Sequence, residues 1–125
     1  VLRGGKPVRV RLFGIDCPER RQDFGNRARQ FTSDLVFGKV VRVEQVEKDQ
    51  YGRIVANIYV DGTLVNHELV RNGFGWWYRR RAPKDRVLEA LERQAREKGL
   101  GLWSHGDPIP PWEWRKRHRS PDTEG

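Results

Sequence analysis

Two β-branched stretches, residues 40–46 and 53–60, flank the turn Lys48-Asp49-Gln50-Tyr51-Gly52, and this arrangement constrains the chain more than any other feature. Gly52 permits a tight turn, so the two stretches read as consecutive strands joined as a hairpin. Upstream, Val8-Arg9-Val10-Arg11-Leu12 alternates apolar and basic residues, the period of a half-buried strand. Gly4-Gly5-Lys6-Pro7 reads as a hairpin turn before it. Val1-Leu2-Arg3 then reads as the tail of an earlier strand, most of it missing. With no methionine and no signal peptide, the chain is expected to be a mature, trimmed or fragmentary form.

Helical spacing appears three times. Ala28, Phe31 and Leu35 recur at three and four residues within 25–36, with Gly38 as the stop. Asn66 is expected to cap a short helix running to Asn72 and closed by Gly73. Residues 84–98 carry the clearest pattern, with Val87, Leu88, Leu91 and Ala95 on one face and Gly99 at the end. Asp61-Gly62 is a strong hairpin signal, with Leu64-Val65 returning as a short strand, and residues 74–78 are aromatic and strand-like. Beyond Ser104, Pro108, Pro110 and Pro111 are expected to preclude regular structure. Trp112 and Trp114 are expected to dock on the domain surface and tie the tail down. Periodicity therefore predicts an α+β chain, mainly β and mostly antiparallel, and short strands around inserted helices suggest a small β-barrel of the OB type. Residues 1–104 read as one domain and 105–125 as a basic tail containing Pro and Trp.

Lys and Arg number 25 against 17 Asp and Glu, a net charge of +8. So basic a small domain favours a polyanionic partner such as nucleic acid over charge carried for solubility alone. The single cysteine, Cys17, excludes an intramolecular disulfide and a cysteine-based zinc site. His67, His105 and His118 lack metal-ligand spacing and read as structural or exposed. No apolar run approaches the ~18 residues of a membrane span.

Two segments could carry chemistry. In Arg11-Leu12-Phe13-Gly14-Ile15-Asp16-Cys17-Pro18-Glu19, a basic residue and two carboxylates share a strand end, with Pro18 stiffening the loop between the acids. Carboxylates so held can ligate a hard cation such as Ca²⁺, and a second carboxylate can orient or deprotonate a water. An arginine nearby can hold phosphate bidentately. The plainer reading is an acidic turn beside a surface arginine. In Asp49-Gln50-Tyr51-Gly52-Arg53, Arg53 could meet transition-state charge and Tyr51 could stack on a base or bond a phosphate. The plainer reading there is a hairpin with an exposed arginine. Arg79, Arg80 and Arg81 read either as a track for a phosphate backbone or as a solvated loop.

These two segments, followed by Asp61-Gly62-Thr63-Leu64-Val65-Asn66, Leu69-Val70-Arg71-Asn72-Gly73 and Gly101-Leu102-Trp103, resemble the staphylococcal nuclease family in order and spacing over roughly residues 8–104. The resemblance implies a five-stranded OB-fold barrel with about three helices, its first strand partly missing here. It implies Ca²⁺-dependent hydrolysis of DNA and RNA with little sequence specificity, with water attacking phosphorus and a 5′-hydroxyl leaving. Asp16 matches a calcium ligand, and Cys17 stands where a threonine offers its backbone carbonyl to the ion. Glu19 matches the carboxylate assigned to the attacking water, Arg11 and Arg53 match the two arginines on the scissile phosphate, and Tyr51 matches a tyrosine of the nucleotide pocket. The family's further calcium-ligating aspartate, from the strand before Arg11, has no counterpart here. The pocket tyrosines after Gly73 are not matched one for one by Trp76-Trp77-Tyr78. A monomer is expected; bacterial members of the family are often secreted, so secretion or the periplasm fits the resemblance, while no residue of this sequence assigns a compartment. Family domains that have lost catalytic residues act as nucleic-acid-binding or scaffold modules, so a catalytically weak or inactive module is the alternative. The retained Arg11, Asp16, Glu19 and Arg53 favour the enzyme.

Overall fold

A computed structural model describes residues 2–104, 106 and 108–118, with the side chains of Leu2 and Arg3 left aside. His105, read above as structural or exposed, and Arg119, part of the basic tail, lie outside the described residues.

The chain begins with a small antiparallel hairpin, β1 (Leu2–Arg3) and β2 (Lys6–Pro7), turned by Gly4 and Gly5 at positive φ. The main sheet joins β3 (Val10–Leu12), β5 (Arg42–Lys48), β6 (Ile54–Val60) and β7 (Thr63–Leu64). β6 is its centre: β5 and β7 pair with it antiparallel, and β3 lies along it in parallel, with Arg11 beside Val55. Four of the five described strand pairings are antiparallel, in line with the mostly antiparallel expectation, and β3–β6 is the parallel exception. The crossover is possible because α1 (Gly25–Val36) and β5 intervene between the two strands. The β6–β7 turn has Asp61 at φ 50° and Gly62 at φ 76°, as the Asp-Gly signal requires.

Among the described residues the sheet remains open, and no closed barrel forms. β5 is an exposed edge, and β3 ends after three residues because Gly14 turns the chain away. The segment after Gly14, expected to be loop, continues as β4 (Ile15–Asp16), which pairs antiparallel with β8 (Trp76–Trp77).

Among the described residues four α-helices accompany the strands rather than about three. α2 (Val65–Arg71) and α3 (Arg86–Lys98) pack on each other, and α2 also packs on β6. Ile15, Ile58, Val60, Val65, Leu69, Val70, Trp77, Leu88 and Leu91 form the core between them. Val87 was expected on that face but is 53% exposed, because the buried stripe of α3 runs through Leu88, Leu91, Glu92 and Ala95. Asp85 caps α3 by accepting from the Leu88 N–H at 3.0 Å, and Gly99 ends it in the left-handed region.

Asn66 does not cap α2, which starts one residue earlier with Leu64 at the cap. Its buried side chain instead bridges elements: Nδ2 donates to the Phe13 and Ala56 carbonyls at 3.0 and 3.2 Å, and Oδ1 accepts from the Ile58 N–H at 3.2 Å. A buried amide with several partners is a tie rather than a penalty. Gly73 and Gly101 meet backbone to backbone where α2 and α3 end, with the Leu102 N–H donating to the Gly73 carbonyl at 2.8 Å. The fourth helix, α4 (Pro111–Arg117), overturns the expectation that the prolines exclude regular structure. Pro111 sits in its first turn, where no N–H is needed and a fixed φ favours helix.

Candidate active site

A cleft of about 450 Å³ opens where β3, β4, the start of β6 and α4 converge. Its walls include Arg11, Asp16, Cys17, Glu19, Arg53, Tyr78 and Arg115. Arg11 comes from the middle of β3 and Asp16 from the end of β4. Glu19 follows buried Pro18, and its N–H donates to Gln22 Oε1 at 2.8 Å, which fixes the loop after β4.

Arg53 is held by its own turn. Asp49 Oδ2 accepts from Arg53 Nε at 2.7 Å, and Oδ1 accepts from the backbone N–H groups of Tyr51 and Arg53, each at 2.9 Å. Desolvation pushes the Asp49 carboxyl up, but the Arg53 and Tyr51 hydrogen bonds and the Arg53 charge outweigh it, and the group titrates below its ordinary value. The Arg11 guanidinium lies 5.5 Å from the centre of the Tyr78 ring, within cation–π range.

Asp16 and Glu19 are drawn together by one cation from the far end of the sequence. Arg115 Nη2 donates to Asp16 Oδ2 at 2.7 Å, and Nη1 donates to Glu19 Oε1 at 2.6 Å. Partial burial works to lower the Arg115 pKa, but the two carboxylates more than reverse it and the guanidinium stays firmly charged. Cys17 lies beside them with part of its surface open, yet its thiol is desolvated. Burial, with the Asp16 charge second, pushes that thiol up to about 12.

Not every expected residue reaches this cleft. Tyr51 is exposed and lines a neighbouring depression of about 300 Å³, which shares Arg11 and Arg53 with the main cleft and adds Arg81. Arg79 and Arg80 lie beyond Tyr78, on an aromatic hollow of about 470 Å³ walled by Trp76, Trp77 and Trp112. Arg79 is 4.9 Å above the Trp77 ring. Trp112 docks as expected, with its ring 5.4 Å from that of Tyr78, but Arg115 is not singled out above as a cleft residue, although Pro at the head of a helix and a Trp–Arg spacing of three on one face are legible signals. Among the described residues no group of three or more His, Cys, Asp or Glu could hold a metal ion.

Residues 9–105 match the family described as staphylococcal nuclease homologue. The chain belongs to the staphylococcal nuclease family. Its staphylococcal-nuclease-like relatives include an uncharacterized endonuclease of Escherichia coli, 44% identical over 118 residues, which span 94% of this chain and 76% of the relative. A micrococcal nuclease of Shigella flexneri is 38% identical over 130 residues, covering 96% of this chain and 75% of that one. The staphylococcal-like nuclease CAN1 of Arabidopsis thaliana is 39% identical over 114 residues, and there the match spans 35% of a longer protein. No helix among the described residues is long and apolar enough to cross a membrane.

Proposed function

We propose that this chain hydrolyses phosphodiester bonds of DNA and RNA with little sequence specificity, acting as a Ca²⁺-dependent endonuclease. The observation that carries the reading is the convergence of Arg11, Asp16, Glu19 and Arg53 on one cleft. Two arginines flanking a pair of carboxylates suit a phosphodiester whose charge grows in the transition state.

The donor set fits a hard cation. Asp16 and Glu19 turn oxygens toward a single cationic group, now the Arg115 guanidinium, and carboxylate oxygens are the ligands Ca²⁺ prefers. Asp16 and the Cys17 carbonyl would hold the ion, which when bound would offset charge on the phosphoryl oxygens. Glu19 then orients a water and takes its proton as the water oxygen bonds to phosphorus. The P–O5′ bond breaks, and the 5′-oxygen leaves as an alkoxide that takes a proton from solvent water to become the hydroxyl, while Glu19 gives its proton back to solvent. Arg11 and Arg53 hold the equatorial oxygens, Arg53 steadied by Asp49 and Arg11 by the Tyr78 ring. Tyr51 and Arg81 receive the strand on one side of the cleft, and Arg79 and Arg80 receive it on the other.

The test is hydrolysis of single-stranded DNA and RNA by this chain, with millimolar Ca²⁺ and with chelator. Cation-dependent cleavage of both, with 5′-hydroxyl ends, is expected. Binding of either polymer without cleavage would instead favour the non-catalytic binding module.

A further inference from the structure

We propose that Arg115 is a built-in counter-cation of the cleft, which holds Asp16 and Glu19 together until a divalent cation displaces it and so sets how tightly that cation binds. The inference rests on the nuclease reading and adds a residue to it.

The contact is built, not incidental. One planar guanidinium reaches two carboxylates: Asp16 at 2.7 and 3.5 Å and Glu19 at 2.6 Å. Charge-assisted bonds of this length are the strong kind. The helix that brings Arg115 there is fastened from several sides. Pro111 is fully buried. The Trp112 ring stacks on Tyr78 with centroids 5.4 Å apart, and meets Trp76 edge-on at 5.6 Å. Just before the helix, the Ile109 carbonyl accepts from Gln22 Nε2 at 2.7 Å, and the same Gln22 side chain receives the Glu19 N–H. Trp112 and Arg115, three residues apart, share the helix face turned to the site, while the neighbouring Lys116 and Arg117 are exposed.

A divalent ion and this guanidinium need the same carboxylate oxygens. Two cations on one pair of acids repel, so each lowers the affinity of the other. While Arg115 is in place, the acids do not repel each other and the cleft keeps its shape. An incoming ion must first break the Arg115 bonds, which weakens its apparent binding. Loss of the competing charge should therefore tighten cation binding, the opposite of what a merely structural arginine predicts.

The experiment is calorimetric titration of Ca²⁺ into the full chain without substrate, for wild type, Arg115→Gln, Arg115→Lys and Arg117→Gln. Arg115→Gln is expected to bind Ca²⁺ about tenfold more tightly than wild type, the scale of a charge removed at contact distance under screening close to that of bulk water. Arg115→Lys, whose point charge engages the two acids less completely, should fall between the two. Arg117→Gln, an equal loss of charge at an exposed position of the same helix, should bind as wild type does. Far-UV circular dichroism checks folding. If Arg115→Gln does not fold, Arg115→Lys decides, since it too must bind more tightly than wild type. Affinity unchanged or weakened at position 115, or tightened equally at 117, overturns the inference. Should wild type cleave DNA with Ca²⁺ while affinity stays flat across the set, the inference falls and the nuclease reading stands. Should no variant bind Ca²⁺ or cleave, both fall.

Discussion

Asp49 receives Arg53 Nε at 2.7 Å on one carboxylate oxygen and the N–H groups of Tyr51 and Arg53 at 2.9 Å on the other. One acid thus closes a turn and aims an arginine at the cleft. Its pKa is depressed in the folded chain, so the unfolded chain binds the extra proton first as pH falls. The stability this carboxylate contributes is complete above the ordinary aspartate value and is lost as pH drops through the lower folded value. Asp49→Asn keeps an oxygen for the two N–H groups but loses the ion pair. Thermal melts between pH 6 and pH 3, roughly the range bracketing carboxylate titration, should show a shallower acid decline for Asp49→Asn than for wild type.

Arg53 is held ready by that turn before any substrate arrives, so its contribution should appear in turnover. Arg53→Ala is expected to lower kcat by about 10²-fold, the scale of one lost transition-state donor, with a smaller change in KM. Steady-state cleavage of a fluorescent single-stranded DNA measures both. A rise in KM alone would reduce Arg53 to ground-state binding.

Glu19 lines the cleft and is bonded through its side chain to Arg115. Glu19→Gln keeps the shape and removes the base, so cleavage should slow by roughly 10²- to 10⁴-fold, the usual range for a general base. The melting temperature should change by only a few degrees, since the lost ion pair is partly solvated. A variant with wild-type turnover would remove Glu19 from the mechanism.

Asn66 ties Phe13, Ala56 and Ile58 to α2 from a buried position. Asn66→Ala removes the side-chain partner of the Phe13 carbonyl and the Ile58 N–H, while the Ala56 carbonyl keeps the Phe13 N–H at 2.8 Å, and should cost about 2–4 kcal/mol of stability as several bonds go together. Urea denaturation measures it; a loss under 1 kcal/mol would mean that water replaces the amide.

Cys17 is partly open to the surface, yet burial, with the Asp16 charge second, pushes its thiol up to about 12, which disfavours the thiolate at neutral pH. Alkylation by iodoacetamide at pH 8 should be slow in the native chain and fast in urea. Equal rates would show that the thiol is not desolvated.

Local signals proved the most readable part of the sequence. The hairpin at Asp61-Gly62, the apolar face of α1 and the Gly99 stop of α3 each depend on residues within a few positions, and each formed where expected. Four of the five charged residues lining the cleft were also readable, because two short segments carry Arg11, Asp16, Glu19 and Arg53. What escaped depends on distance along the chain. The parallel lie of β3 on β6 is decided by the path through α1, and no alternation pattern encodes strand direction. Asn66 has the composition of a cap, but its partners come from β6 and the turn after β3. Arg115 meets acids 96 and 99 residues away, a pairing that composition of the tail alone could not reveal.

The close approach of Gly73 and Gly101 has a consequence for how this sequence can drift. A side chain on Gly73 would run into the Leu100 carbonyl, and one on Gly101 into the carbonyl of Gly73, with both residues at positive φ. Neither obstacle is a side chain, so no second substitution elsewhere can make room. The two positions form a fixed point in sequence space: variation can accumulate around them, and a change at either must rebuild the path of the main chain.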